Sequence, residues 1–207
     1  MLKSAELFKI KPQVEIIPVN YFAPLDFEAI YGRTACLEVD LGCGDGSFLL
    51  ASASANPGRN FLGIERLVGR VRSACHKITA SEVGNARVLR CELSYAVQHL
   101  LPAGSVTVFH LLFPDPWPKR RHASRRIMTP GFLGSLHHAL TPRGMIRIAT
   151  DQLQYFRQIE RLAAESSQFE AIPGQPASAA ISTFEKRFRG DAIEIHRLGL
   201  RKISDVT

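Results

Sequence analysis

Three glycines at alternate positions, Gly42, Gly44 and Gly46, directly follow the apolar run 37–41. Glycine lets a backbone turn sharply and approach a ligand closely because it has no Cβ. The dinucleotide fingerprint needs a further glycine at Ser47, and the lysine of a P-loop is absent. The pattern therefore disfavours NAD and favours a nucleoside without phosphates, such as S-adenosylmethionine. The alternative is a tight strand-to-helix turn that binds nothing.

Acidic residues follow the next two apolar runs at the position where a nucleoside needs them. Glu65 ends the run 60–65, 19 residues after Gly46, and its carboxylate can accept hydrogen bonds from both ribose hydroxyls. Glu92 follows the run 86–90 and can reach an adenine amino group. The alternative for Glu92 is a solvent-facing residue that caps the following helix.

The loop after the fourth apolar run combines a stiff frame with concentrated positive charge. Pro114, Pro116 and Pro118 restrict the backbone, Asp115 stands between two of them, and Trp117 offers a flat apolar face. Five cations follow within eight residues: Lys119, Arg120, Arg121, Arg125 and Arg126. Cations for phosphates beside an aromatic face are typical of RNA binding. A solvated charge run is the alternative, which the rigid frame disfavours.

Strands and helices alternate along the chain, and this order must position those residues. Strands are predicted over 35–41, 60–65, 86–90, 105–113 and 145–150, and helices over 47–55, 66–80, 94–101, 130–140 and 151–164, the last capped by Asp151. Five such units predict an α/β, Rossmann-like, doubly wound and mostly parallel sheet. A connector over 172–180 and an alternating run over 191–202 predict an antiparallel C-terminal edge strand.

Composition restricts the class of protein. The 207 residues are 45% hydrophobic, which suits one folded domain and excludes a disordered chain. The net charge of +7 favours phosphate-rich or other acidic partners, with solubility alone as the alternative. We expect a lead-in over 1–34 and one domain over 35–207. No run is long enough to cross a membrane, no secretory signal is visible, and the four cysteines form no C-x-x-C pair. These features predict a reduced cytoplasmic protein without a metal site, and they leave open whether it is a monomer or a homodimer.

The motifs together resemble a known family. Gly-Ile-Glu65, the segment Pro114-Asp-Pro-Trp-Pro-Lys-Arg-Arg-His122 and Ala-Thr-Asp151 are similar to those of the bacterial tRNA (guanine-N7)-methyltransferases of the TrmB type, over about residues 35–200. The resemblance implies methyl transfer from S-adenosylmethionine to N7 of a guanosine in tRNA, at position 46 in the variable loop.

The resemblance also implies roles for individual residues. It gives the Asp115 carboxylate a catalytic role and a cofactor contact. It assigns further cofactor contacts to Glu38, Gly42, Gly44, Gly46, Glu65 and Glu92. It assigns substrate contacts to Lys119, Arg120, Arg121, His122, Asp151, Ser182, Phe184 and Glu185. Ser182 replaces the family's threonine, and Asp40 is a further acid that could share the contact of Glu38.

Two rival functions use the same fold. A methyltransferase of small molecules would not need five clustered cations. An RNA-binding module without catalysis would not need Glu65, Asp115 and Asp151 together.

Overall fold

The computed structural model describes residues 13–117, 121, 125–173 and 193–203. The strands are β1 (Glu15–Ile16), β2 (Leu37–Leu41), β3 (Asn60–Glu65), β4 (Ala86–Arg90), β5 (Val106–Leu112), β6 (Leu140–Thr150), β7 (Phe169–Pro173) and β8 (His196–Lys202). The helices are α1 (Phe27–Tyr31), α2 (Ser47–Ala55), α3 (Val68–Ala80), α4 (Leu93–Tyr95), α5 (Pro130–Ala139) and α6 (Leu153–Ala164), with a π-helical turn at Ala96–Leu100 after α4.

The eight strands form one sheet in the order β1-β4-β3-β2-β5-β6-β8-β7. The first six strands in this order run parallel to one another, and β8 is antiparallel to both β6 and β7. Strand order reverses at β2, so the crevice beside its carboxyl end is the place where such sheets bind ligands. The predicted α/β class with a mostly parallel, doubly wound sheet is confirmed.

The antiparallel C-terminal strand is present, but it does not lie at the edge. β8 pairs with β6 on one side and with β7 on the other, so β7 is the edge strand. The connector predicted over 172–180 is wrong at its start, because Ile172 and Pro173 belong to β7. Residues 174–180 of that connector lie outside the described part of the chain. Local sequence gives no hint of β7 since its pairing partner is some 30 residues further on.

The two faces of the sheet carry separate apolar cores. The larger core packs α5, α6 and the π-helical turn against inward side chains such as Val39, Phe109 and Ile148. The smaller core lies under α2 and α3 and includes Phe61. Helix α3 buries Val71, Ala74 and Ile78, whose spacing of three and four places them on one face of the helix.

The N-terminus of α5 is capped by a side chain, whereas the cap predicted for α6 is not formed. Thr129 caps α5 by accepting the Phe132 N–H, and Pro130 occupies the first turn. The prediction that Asp151 caps the following helix is wrong, because Gln152 is the N-cap residue and its side chain makes no capping hydrogen bond. Asp151 therefore does not use its carboxylate to hold this helix end.

No helix in the described ranges is long and apolar enough to span a membrane. The cysteines at 36, 43, 75 and 91 are all free thiols.

Candidate cofactor and substrate site

The carboxyl ends of the parallel strands form a rim that collects most of the predicted site residues. Gly42 follows β2, Glu65 ends β3, Glu92 follows β4, Asp115 follows β5 and Asp151 follows β6. These strands are neighbours in the sheet, so residues far apart in sequence meet along one edge. The rim of a parallel sheet is the usual ligand site of this architecture.

The glycine turn is open toward the rim at its first two glycines. Gly42, Gly44 and Gly46 have φ angles of 81°, 55° and 75°, a region that residues with a Cβ rarely adopt. A Cβ built on Gly42 or Gly44 would meet no heavy atom within 4 Å, whereas one on Gly46 would lie 2.7 Å from the Cβ of Ala74. The first two glycines therefore leave room for a ligand, and the third lets α3 pack closely.

Backbone and side-chain hydrogen bonds fix the shape of this turn. The N–H groups of Gly42 and Cys43 donate to the carbonyl of Ile64, at 2.9 and 3.1 Å. On the far side, Lys77 of α3 donates to the Asp45 carboxylate and to Ser47 Oγ, the latter at 2.9 Å. Burial opposes the charged form of Asp45, but the hydrogen bonds from Lys77 and Ser47 outweigh it and lower the pKa of Asp45.

The Glu65 carboxylate is buried and already accepts three backbone hydrogen bonds. Its Oε1 accepts from the N–H groups of Arg66 and Leu67, at 2.8 and 2.9 Å, and Oε2 accepts from Gly44 at 3.2 Å. A carboxylate offers about four acceptor sites. Glu65 therefore ties the end of β3 to the glycine turn, and a bound ribose would share Oε2 with Gly44.

Glu38 and Asp40 lie on the same face of β2, but at different distances from the glycine turn. Both oxygens of Glu38 are engaged, with Arg59 at 2.7 Å and with His110 Nε2 at 2.7 Å. Asp40 stands two residues closer to Gly42 and is buried, and no hydrogen bond within the described ranges reaches its carboxylate. Burial, reinforced by the charge of Glu65, raises the pKa of Asp40 to about 7.

Glu92 is exposed and acts as a helix cap. Its Oε2 accepts the Tyr95 N–H at 2.8 Å and so begins α4. The structure therefore shows the capping role that the sequence offered as an alternative. The contact of Glu92 with the adenine amino group stays a prediction.

The loop that carries Asp115 contains two strained residues. Phe113 and Trp117 have φ angles of 53° and 42° although neither is glycine. The Phe113 N–H donates to the Ala149 carbonyl at 2.7 Å, which joins the end of β5 to the end of β6. The Asp115 side chain is exposed at the rim. Strain of this kind clusters at functional sites, where surrounding contacts maintain it.

Arg126 supplies those contacts. Its Nε donates to the Pro116 carbonyl at 2.7 Å, and its other nitrogens donate to the Trp117 carbonyl and to Gln158 on α6. The guanidinium also lies 5.0 Å from the ring centre of buried Tyr155. Arg126 is therefore committed to holding the loop, while Arg125 lies over the Trp117 ring at 4.9 Å.

The remaining predicted substrate contacts divide by location. Asp151 is half-buried at the end of β6, where its Oδ2 accepts from the Gln152 amide at 2.8 Å. Arg121 is exposed beyond the proline loop. The other predictions lie outside the described residues: Lys119, Arg120, His122, Ser182, Phe184 and Glu185. Within the described ranges, no group of three or more His, Cys, Asp or Glu side chains could hold a metal ion.

Comparison with known proteins assigns the chain to a family. A family model described as "Putative methyltransferase" matches residues 34–197. The tRNA (guanine-N(7)-)-methyltransferase of Syntrophotalea carbinolica is 30% identical over 201 residues, which are 95% of this chain and 87% of that protein. The protein of the same name from Halorhodospira halophila is 34% identical over 182 residues, 84% of this chain and 78% of that one. The chain belongs to the tRNA (guanine-N(7)-)-methyltransferase family.

Solved structures support the fold of this methyltransferase. The aminoglycoside resistance methyltransferase NpmB1 superposes with a TM-score of 0.59 at 17% identity, over 86% of this chain and 92% of that one. The 16S rRNA methyltransferase KamB gives 0.61 at 15% identity, over 85% and 91%. The family predicted from the Pro-Asp-Pro-Trp segment is confirmed, and so are methyltransferase activity and S-adenosylmethionine as methyl donor.

The site fits that donor. The methyltransferase offers an open glycine turn at Gly42 and Gly44, and a buried carboxylate at Asp40 without a hydrogen-bond partner in the described ranges. S-adenosylmethionine carries a positively charged sulfur and ribose hydroxyls, so it can use the glycine turn, Asp40 and Glu65.

Three positioning residues of the methyltransferase escaped the sequence interpretation. Lys77 holds the glycine turn, Arg126 holds the Asp115 loop, and His110 forms a hydrogen bond with the Glu38 carboxylate. Among the three, only Arg126 belongs to a sequence motif, since it ends the basic run. An arginine in such a run predicts a contact with phosphate rather than with the protein's own loop. Lys77 and His110 have no such signal.

Proposed function

We propose that this protein transfers a methyl group from S-adenosylmethionine to N7 of a guanosine in tRNA, and that this guanosine lies in the variable loop. The observation that carries the proposal is the strained loop around Asp115, which stands beside the glycine turn on the rim of a protein of this family. The exposed arginines Arg121 and Arg125 beside this loop suit an RNA backbone better than a small-molecule substrate.

The cofactor contacts follow from the open part of the rim. Gly42 and Gly44 admit the ligand, Glu65 accepts from the ribose, and Glu92 accepts from the adenine amino group with the oxygen that does not cap α4. Asp40 stands closer to the turn than Glu38, so Asp40 takes the contact with the cationic methionine portion. Glu38 then acts through the strand, because Arg59 and His110 hold its oxygens.

Guanine N7 carries a lone pair, so its methylation needs no strong general base. The donor, when bound, supplies a methyl group on a positively charged sulfur. The task of the protein is to hold the base in line with that methyl group and to accommodate charge as it grows on the purine. Asp115 performs both tasks by accepting hydrogen bonds from guanine N1–H and the N2 amino group, supported by Asp151 at the end of the adjacent strand.

Positive charge around this loop holds the tRNA backbone. Arg121 and Arg125 are exposed, and we place Lys119, Arg120 and His122 in the same role. The target guanosine is removed from its stack at a cost of a few kcal/mol. Ser182, Phe184 and Glu185 contact the extruded base. Because tRNA is the substrate, the protein works in the cytoplasm.

The test is methyl transfer from labelled S-adenosylmethionine to unmodified tRNA, followed by mass spectrometry of the nucleosides and mapping of the product. We expect 7-methylguanosine in the variable loop. Asp115→Ala should lower kcat at least about 100-fold, since a preorganised charge contact is lost, and leave tRNA affinity nearly unchanged. The same nucleoside at another position would contradict the variable-loop assignment alone. Cofactor binding without a methylated nucleoside would contradict the reaction.

A further inference from the structure

The segment between β1 and α1 exposes apolar side chains on the same rim. β1 runs parallel to β4, with Glu15 opposite Val88 and Ile16 opposite Leu89, so the chain leaves β1 at the carboxyl ends of the strands. The next residues carry large exposed apolar side chains, namely Ile17, Val19, Tyr21 and Phe22. We call these four the rim patch. Phe22 is 89% exposed, which is unusual for an ordered phenylalanine.

Hydrogen bonds hold the rim patch in place. The Tyr95 hydroxyl donates to the Tyr21 carbonyl at 2.9 Å, and the Phe22 N–H donates to the Asn20 side chain at 2.8 Å. Pro18, between two exposed residues, is buried. The patch is therefore a fixed surface. Since Tyr95 belongs to α4, the patch lies next to the end of the cofactor site marked by Glu92.

Three arginines lie on the same rim as the patch. Arg90 ends β4, and Arg66 and Arg70 follow β3, so all three lie near the carboxyl ends of the parallel strands. The side chains of Arg70 and Arg90 are half exposed, and their nearest carboxylates are 3.7 and 3.9 Å away. Exposed rings among arginines suit RNA, because unstacked bases pack on aromatic faces while cations bind the flanking phosphates.

The position of the rim patch agrees with a large substrate. β1 is four strands away from β5, which carries the Asp115 loop, and four strand spacings amount to about 19 Å. A folded tRNA is larger than that, so a tRNA whose guanosine reaches Asp115 is large enough to reach the rim patch as well.

We propose that the rim patch is a second tRNA contact, on which an unstacked base outside the reaction centre packs against Phe22 and Tyr21. The proposal rests on tRNA being the substrate. The contact depends little on RNA sequence, because every base has a flat face on which an aromatic ring packs. It contributes to tRNA affinity and takes no part in the chemical step.

The experiment compares Phe22→Ser with the matched control Ile203→Ser. Ile203 is also an exposed apolar residue. It follows the end of β8 where Arg201 pairs with Met145, so it lies at the amino ends of the parallel strands, opposite the rim. Phe22→Ser should raise the tRNA Kd about tenfold, given the usual loss of one base–aromatic stack. Ile203→Ser should leave it unchanged. S-adenosylmethionine affinity should be equal in both variants and the wild type.

Salt dependence separates stacking from charge. Phe22→Ser removes no cation, so log Kd against log salt should keep the slope of the wild type. Arg90→Ala should lower that slope by about one. A tRNA Kd of Phe22→Ser equal to that of the wild type would overturn the proposal, and so would a loss equal to that of Ile203→Ser. Sedimentation that changes from dimer to monomer in Phe22→Ser would assign the patch to a second copy of the chain and also overturn it.

The wild type separates this proposal from the one on which it rests. If the wild type forms no 7-methylguanosine in tRNA, the proposed function fails. If it does form the product and Phe22→Ser binds tRNA normally, only the rim patch fails.

Discussion

Gly46 of the glycine turn lies so close to Ala74 of α3 that a Cβ on Gly46 would stand 2.7 Å from the Cβ of Ala74 and 2.9 Å from its Cα. The second of these atoms belongs to helix backbone, which cannot move aside as a flexible side chain can. The cofactor turn and helix α3 are therefore one packed unit.

Gly46→Ala should destabilise the protein through this contact. The new methyl group overlaps α3, and alanine also resists a φ of 75°, so we expect a loss of about 2–5 kcal/mol in the free energy of unfolding. Gly44→Ala is the matched control, because its φ is also positive but its Cβ enters open space. It should lose only about 1 kcal/mol. Urea unfolding measures both, and equal losses would contradict the packing argument.

Lys77→Met should weaken S-adenosylmethionine binding without a large effect on stability. Lys77 and Asp45 are each more than a third exposed, so their ion pair contributes at most about 1 kcal/mol to folding. The change removes the two hydrogen bonds from Lys77 to Asp45 and Ser47, and we expect the cofactor Kd to rise about three- to tenfold by calorimetry. Arg72→Met, an exposed cation on the same helix, is the control. A Kd that is equal in the two variants would argue against a positioning role for Lys77.

Asp40 should make stability fall as the pH rises toward neutrality. Burial and the nearby Glu65 raise its pKa to about 7, whereas an unfolded aspartate has a pKa near 3.9. Between these values the folded state binds more protons, so the free energy of unfolding decreases with pH, on the order of a few kcal/mol in total. Asp40→Asn should flatten this slope relative to the exposed control Glu160→Gln. Urea midpoints between pH 4 and 8 measure the effect, and an unchanged slope in Asp40→Asn would refute it.

Cofactor binding should release a proton from Asp40. A cationic group near the carboxylate favours its charged form and lowers the pKa of Asp40, so binding near pH 7 displaces part of a proton. Calorimetry in two buffers of different ionisation enthalpy reports this as a difference in apparent binding enthalpy. The difference should vanish in Asp40→Asn and persist in Glu160→Gln. A wild type without proton release would place the cation away from Asp40.

Arg126 and Arg125 should behave differently although they are neighbours. Arg126→Ala removes the contacts with the Pro116 and Trp117 carbonyls, so the Asp115 loop loses its geometry and kcat should fall at least about tenfold. The salt slope of tRNA binding should stay nearly constant. Arg125→Ala should instead lower that slope by about one and leave kcat within about threefold. Similar kcat losses in both variants would show that Arg126 does not act through the loop.

Local features were enough to predict most of the elements. The helix over 47–55 and the strands over 60–65 and 86–90 agree with the structure at both ends, because proline, glycine and apolar spacing act within a few residues. The strand predicted over 145–150 begins earlier in the structure, since Leu140–Thr150 forms one strand with Arg143 at a positive φ. Pairing with β5 holds both sides of an irregular stretch: Val106 lies opposite Leu140 and Val108 opposite Met145, so the register shifts across residues 141–144.

The sequence by itself determined the fold class, the glycine turn, the acidic residues along the rim and the family, because each depends on residue type and spacing. The tertiary structure decided which of these groups are already engaged. Glu38 is held by His110, 72 positions away, and Lys77 reaches the turn from 30 residues beyond Ser47. Such partners are brought together by strand order and helix packing, which no local pattern encodes. The same long-range contacts leave Asp40 buried without a partner in the described ranges and commit Arg126 to the loop.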